Sequence, residues 1–344
     1  MSRHFATGGA PHFPPHRTVG SVMRQVLYAL APGVAAYAWF FGTGVLLQIL
    51  LATVFALALE GAMLKLRGQP VKQFLGDYSA VVTAVLFALC IPPLAPWWIS
   101  LTGMIFAIVI AKQLYGGLGS NLFNPAMIAY VVVLISFPQH MTAWPQPAEL
   151  ASHGLGPLEV LLTVFSGQPA GGLGWDAVSG ATVLDAIRNG AAAGQSMESI
   201  RQSPAFGQLA GLGWEWIAGW YMLGGLWLLW KRIISWHIPV AVLGSAFLFS
   251  SAVWIADPAG NPSPLVDLLS GALLIGAFFI ATDPVSGCTS PRGRLVFGAG
   301  VGILTLLIRR WGGYPDGVAF AVLLMNMAAP LIDRFTQPRI FGHD

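Results

Sequence analysis

Charge is what this chain most lacks. Of its 344 residues only 9% are Asp, Glu, Lys or Arg, whereas 56% are hydrophobic. A soluble domain carries roughly 25% charged residues, and a chain this short of them cannot cover a globule with polar surface. The mean hydropathy of +0.69 agrees, so an integral membrane protein embedded in a lipid bilayer is expected. The net charge of +3 reflects loop placement, and no nucleic acid is expected as a partner. The two cysteines, Cys90 and Cys288, form no metal-ligand spacing. Both fall in or beside apolar segments, where cysteine serves as a small buried hydrophobe. No metal, and no iron–sulfur cluster held by this chain alone, is expected.

Histidine is absent from the middle of every apolar run. His4, His12, His16, His140, His153, His237 and His343 fall in tails, loops or run ends, so paired axial haem ligands are excluded. Acids are scarce there too, with Glu60, Asp77 and Asp267 towards the ends. A charge at the bilayer centre costs about 2.5–3.5 kcal/mol on insertion scales and usually marks an ion path. Without a file of carboxylates, ion movement by this chain unaided is not expected.

What the chain does have is long apolar runs. A helix needs about 20 apolar residues to cross roughly 30 Å of hydrocarbon. Ten candidates lie near 26–42, 44–64, 78–96, 98–112, 124–138, 213–230, 237–256, 264–282, 294–309 and 317–333. Breakers such as "IPPLAP", "YGGLGSN" and "WGGYPDG" separate most of them. The Pro/Gly/His-rich start lacks a small-residue cleavage site and is read as retained.

With the N-terminus inside, thirteen basic residues fall on cytoplasmic ends, Lys112 among them, and only Arg188, Arg201, Arg309 and Arg310 remain outside. That bias sets the expected orientation, both termini cytoplasmic. The expected division is a tail at 1–25, a five-helix repeat at 26–138, an extracytoplasmic segment at 139–210, a second repeat at 211–334 and a tail at 335–344. The repeat rests on "KQLYGG" (112–117) and "RRWGGY" (309–314), each between the fourth and fifth runs of its half. Five helices is an odd number, so the second repeat is inverted. Such folds commonly place a site near the midplane.

"YGGLGSNLFNPAM", 115–127, breaks the backbone before the fifth run. Asn124 and Pro125 fit a helix start, a cap followed by proline in the first turn. The amides of Asn121 and Asn124 could equally hydrogen-bond a polar heterocycle. Asn124-Pro125-Ala126 also resembles the box of aquaporin-like channels, although the second half offers no partner box.

"SGAT", 179–182, sits in the central segment. Thr182-Val-Leu-Asp185 fits a capping box for a short helix ending near Gly190. A cap alone does not call for Gly180 and Ala181, which clear space around the hydroxyl, and a helix N-terminus attracts phosphate. Asp176-Ala-Val-Ser179-Gly180-Ala181-Thr182 resembles the flavinylation sequence D-x-x-[ST]-G-A-[ST], whose last hydroxyl is joined to FMN through a phosphoester by an exported flavin transferase. The tracts "KQLYGGLGSNLFNPAMIAYVVVLISFP" and "ATDPVSGCTSPRG…RRWGGYPDGVAFAVLLMNMAAPLIDRFTQPRIFG" are similar to the family uniting the D subunits of Rnf electron-transport complexes with the B subunits of sodium-pumping NADH:quinone reductases. The resemblance covers essentially the whole chain.

It implies an all-α membrane protein of ten helices in two inverted repeats. It implies covalent FMN on Thr182, with Ser179, Gly180, Ala181 and Asp176 in the recognition sequence, and non-covalent riboflavin in the membrane. It also implies five partner subunits (A, B, C, E and G) and ferredoxin:NAD electron transfer coupled to Na⁺ or H⁺ movement. A flavoprotein subunit relaying electrons is the leading expectation, and a solute channel of urea-channel or aquaporin architecture the alternative. The topology is checked in a variant lacking the native cysteines. A cysteine near Gly190 is expected to react with an impermeant thiol reagent on intact cells, and one near Gly68 is not.

Overall fold

The computed structural model describes residues 18–151, 154–314 and 316–337; most of both expected tails, and His153, lie outside them. The first helix, α1 (Val19–Phe41), starts well before residue 26 because the Thr18 hydroxyl accepts a hydrogen bond from Ser21 N at 3.2 Å and caps it. It is followed by α2 (Gly44–Leu66), α3 (Ser79–Cys90), α4 (Trp97–Gln113) and α5 (Pro125–Ser136). The second half of α4, Ile105–Gln113, is wound as a π-helix. In the central segment lie α6 (Pro157–Ser166) and α7 (Val183–Ala192). The last six are α8 (Trp214–Trp230), α9 (His237–Ala256), α10 (Pro264–Leu269), α11 (273–280), α12 (Pro291–Trp311) and α13 (Val318–Thr336). Among the described residues there is no β-strand, only the bridges Pro145–Ser179 and Phe206–Gly211. The protein is an all-α membrane protein.

Each of the ten expected runs carries helix, but not always a full crossing. Four helices, α2, α9, α12 and α13, are long and apolar enough to cross a bilayer alone. By contrast α3 and α5 have 12 residues each, about 18 Å at 1.5 Å per residue. The eighth run is interrupted at 270–272, between α10 and α11. Packing order repeats along the chain: α2 packs on α3 and α4, α9 on α10 and α12, while α1 crosses α8 and α5 meets α13.

Interrupted helices release backbone groups that must find partners away from water. After α3, residues 91–96 are unwound and buried. Gln48, fully buried in α2, donates to Pro93 O (3.3 Å) and Ala95 O (2.5 Å) and accepts from Ser100 Oγ (2.7 Å). At the second break, Arg309 of α12 donates to Asp267 O (2.6 Å) and Ser270 O (2.9 Å). Asp316 completes that repair, accepting from Ala272 N at 2.6 Å and pairing with Arg309 at 3.1 Å.

The structure corrects the placement of several charges. Lys112, read from sequence as a cytoplasmic-end cation, is only 2% exposed and pairs with Glu60 of α2 at 2.6 Å. It therefore carries no weight in the orientation count. It also donates to Ser79 Oγ at 2.7 Å, tying α4 to the start of α3. Arg310 makes the matching bond in the second half, 2.6 Å to Asp267, with the Ser250 hydroxyl beside it. Gly190, named for labelling, packs on Ile200, so the reporter cysteine belongs at the exposed Asn189.

Removing one partner of a buried pair strands the other, at a cost of about 3–5 kcal/mol, whereas apolar replacement of both is often neutral. Glu60→Leu is therefore expected to lower the melting temperature in detergent sharply. Glu60→Leu with Lys112→Met is expected to recover most of the loss.

Candidate functional site

Thr182 is the N-cap of α7. Its oxygen accepts from Asp185 N (3.2 Å) and its hydroxyl donates to Asp185 Oδ2 (2.6 Å). The same carboxylate accepts from Thr182 N at 3.1 Å. The capping box read from sequence is present, and it holds the threonine in one orientation.

The cap also borders a cavity. Thr182, Val183, Leu184 and Asp185 line a space of about 1200 Å³, counted to its open mouth. Its other walls come mainly from α1, α3, α5, α8, α11, α13, the stretch 141–144, the break at 270–272 and Asp316. They are mainly apolar and aromatic: the Trp214 ring lies 5.2 Å from Tyr37 and 5.7 Å from Trp144. Three buried hydroxyls on this wall, those of Tyr37, Tyr221 and Ser270, have no hydrogen-bond partner among the described residues. A mainly apolar cleft with a few convergent polar groups has the make-up of a small-molecule site. The orphaned hydroxyls suit an occupant with polar ring edges, so the residues present fit a flavin.

The rest of the SGAT tract has other neighbours. Gly180 N donates to Trp144 O at 2.9 Å, and a Cβ on Gly180 would come 2.6 Å from Gln146. The glycine therefore makes way for Gln146, not for a ligand as its smallness in the sequence suggested. Ser179 Oγ donates to Trp175 O at 2.8 Å. Ala181 and Asp176 are exposed. Of the five residues named in this tract, Thr182 alone lines the cavity.

Asn121 and Asn124 do come together, in a second cavity of about 880 Å³ with Ser79, Thr83, Lys112 and Asp283. Asn124 Oδ1 accepts from Ala126 N (3.1 Å) and Met127 N (3.2 Å), capping α5, while its Nδ2 donates to Ile280 O at 3.3 Å. Asn124 thus caps α5 and ties it to the end of α11 while lining the cavity. Asn121 Nδ2 donates to Phe123 O at 3.1 Å. Asp283, in the loop after α11, has its carboxyl pushed up by burial, against hydrogen bonds from Ser286 and Val285 that lower it. Burial likewise pushes the Cys288 thiol up to about 12, which keeps it protonated and inert.

The two cavities adjoin. Leu86 of α3 lines one and Leu89 the other; Ala126 and Met127 of α5 divide the same way. Sequence reasoning missed Tyr37, Tyr221, Ser270 and Lys112 as cavity residues. The recurring "KQLYGG"/"RRWGGY" was the one available signal for Lys112, since both tracts open on a cation.

A helical membrane protein with two adjoining cavities, one bordered by an oriented helix-capping threonine, is the class these features define. A sequence profile of the NQR2, RnfD, RnfE family matches residues 6–342, and the chain belongs to that family. It is 51% identical to the D subunit of the ion-translocating oxidoreductase complex of Shigella dysenteriae serotype 1 (strain Sd197), across 98% of this chain and 99% of that one. The D subunit from Escherichia coli (strain SE11) is also 51% identical, and that from Citrobacter koseri 50%, each over the same shares.

Asp185→Ala removes the two bonds to its carboxylate and leaves the residue-185 N–H on Thr182 Oγ1, a loss of about 1 kcal/mol confined to one short helix. Hydrogen exchange is expected to quicken across 183–192 and to stay unchanged in α2 and α12.

Proposed function

We propose that the chain is the membrane flavoprotein subunit of an ion-translocating oxidoreductase complex, relaying electrons between partner subunits. Bound flavin supplies the redox chemistry; the protein supplies placement and exclusion of water. Thr182 carries FMN through a phosphoester, and the ring occupies the aromatic cavity behind it. The observation that carries this reading is that one hydroxyl both ends the D-x-x-[ST]-G-A-[ST] sequence and borders a cavity with three unpaired buried hydroxyls.

The residues divide the work. Asp185 fixes the orientation of the Thr182 hydroxyl through the 2.6 Å bond, and the α7 N-terminus favours a phosphate there. Exposed Asp176 and Ala181 present the recognition sequence to an exported flavin transferase, which places 139–210 on the extracytoplasmic side. Riboflavin occupies the second cavity, with the amide of Asn121 on one ring edge and Asn124 in the wall. The two cavities meet within about one helical turn, so electrons cross between rings without leaving the chain. Coupling of ferredoxin:NAD transfer to Na⁺ or H⁺ movement belongs to the assembled complex. The inverted arrangement of the two halves fits the repeated packing order. A solute channel is the weaker reading, because the asparagine of the lone NPA box caps α5 and contacts Ile280, and the second half offers no partner box.

Thr182→Ala is expected to abolish SDS-stable flavin fluorescence while leaving insertion and assembly intact. Mass spectrometry of the 176–188 peptide from the wild type should show the FMN adduct, and an unmodified peptide from cells with an active transferase would sink the proposal. Asn121→Leu, which spares the α5 cap, is expected to lose extractable riboflavin and to retain the covalent label.

A further inference from the structure

Tyr37, Tyr221 and Ser270 reach the Thr182 cavity from three different elements: α1, α8 and the break before α11. They are nearly sealed, at 1%, 5% and 2% exposure. None of the three hydroxyls has a partner among the described residues. Buried polar groups in folded proteins are almost always hydrogen-bonded, and an exception calls for an explanation. A lipid chain in the cavity leaves all three unpaired. A planar heteroaromatic ring with acceptor atoms along its edges pairs them.

The backbone is arranged to bring the tyrosines there. A Cβ on Gly33 of α1 would come 2.3 Å from the Tyr221 ring, and one on Gly224 of α8 would come 2.1 Å from Ala29 O. Without side chains at these two crossing points α1 and α8 close together, and Tyr37 and Tyr221 face one space. The Tyr37 ring is further held edge-on by Phe41 at 5.5 Å.

Resting on the flavin reading of this cavity, we infer that Tyr37 and Tyr221 donate hydrogen bonds to the flavin ring and hold its reduced form more tightly than its oxidised form. A ring that has gained electrons is a more negatively charged acceptor, and hydrogen bonds to charged acceptors are roughly twice as strong as neutral ones. The low dielectric of a dry cavity strengthens both. The two tyrosines thereby raise the potential of the Thr182-linked flavin, and Ser270 supplies a third contact.

The test uses Tyr37→Phe, Tyr221→Phe and the double variant in the full-length chain, produced in cells that carry the transferase. Each keeps the ring and deletes only the hydroxyl. Visible bands are assigned to the Thr182-linked flavin by their loss in Thr182→Ala, and their midpoint potential is followed by titration. The variants are expected to keep SDS-stable fluorescence and to titrate lower. A tenfold weaker hold on the reduced ring corresponds to about 30 mV for a two-electron couple. Tyr28→Phe, on the exposed part of α1, is expected to match the wild type. Loaded Phe variants that titrate with the wild type overturn the assignment and leave the flavin reading standing. A wild-type chain with no covalent flavin overturns both. If a Phe variant fails to load, its melting temperature decides. An unchanged value supports a role in receiving the ring, and a lowered one shows a merely structural role and overturns the assignment.

Discussion

Hydrocarbon offers no hydrogen bonds, so every backbone N–H and C=O that leaves a helix inside a membrane must be met by the protein itself. The rest of this structure depends on how that demand is answered at two places. At 91–96 the answer is Gln48, whose amide serves two carbonyls and a serine hydroxyl at once. At 270–272 it is Arg309, a cation whose donors end on two carbonyls, with Asp316 taking the Ala272 amide and part of the charge. Because these breaks are satisfied, α3, α10 and α11 can stop short of a full crossing. The space they leave becomes the cavities. An uninterrupted ten-helix bundle of the same sequence would have filled it with side chains.

The buried ion pairs follow from the same economy of partners. Lys112–Glu60 joins α4 to α2 and, through Ser79, to α3. Arg310–Asp267 joins α12 to α10 and, through Ser250, to α9. Each links the second, third and fourth runs of its half, which are the runs that surround an interrupted segment. Such pairs contribute little net stability, since desolvation offsets the attraction. Their strength lies in directionality: a displaced helix leaves a charge bare, so the frame around each cavity tolerates little drift.

Much of the architecture was legible in the sequence, for a simple reason. An apolar run flanked by Gly and Pro is a local signal, and α2 and α9 fall almost on the runs at 44–64 and 237–256. The capping boxes were legible too, because a cap spans three residues; Thr182–Asp185 and Asn124–Ala126 both formed. What escaped was set by partners remote in the chain. Ser270 and Gly271 look unexceptional inside an apolar run, and the side chain that repairs the break there lies 39 residues away. Lys112 at the edge of a run reads as a loop cation until α2 brings Glu60, 52 residues distant, against it. Gly180 was legible as a required glycine but for the wrong cause, since Gln146 is its neighbour only after 144–146 folds across it.

Thr182 shows how one side chain can cap a helix and still be available to carry a group. The capping box uses three hydrogen bonds, and only one consumes the hydroxyl proton. Esterification at Oγ1 removes that donor but keeps an oxygen facing Asp185 N, and the bond from Thr182 N to Asp185 Oδ2 does not involve Oγ1 at all. Two of the three links therefore outlast the proposed modification, with the Oγ1 acceptor weakened by the phosphate. A phosphate on Oγ1 would lie where the N–H groups at the start of α7 favour negative charge. The helix thus need not unwind if the hydroxyl is modified. Its first turn sets the register that directs Val183 and Leu184 to the cavity wall, so the Thr182 hydroxyl and the cavity stay fixed with respect to each other.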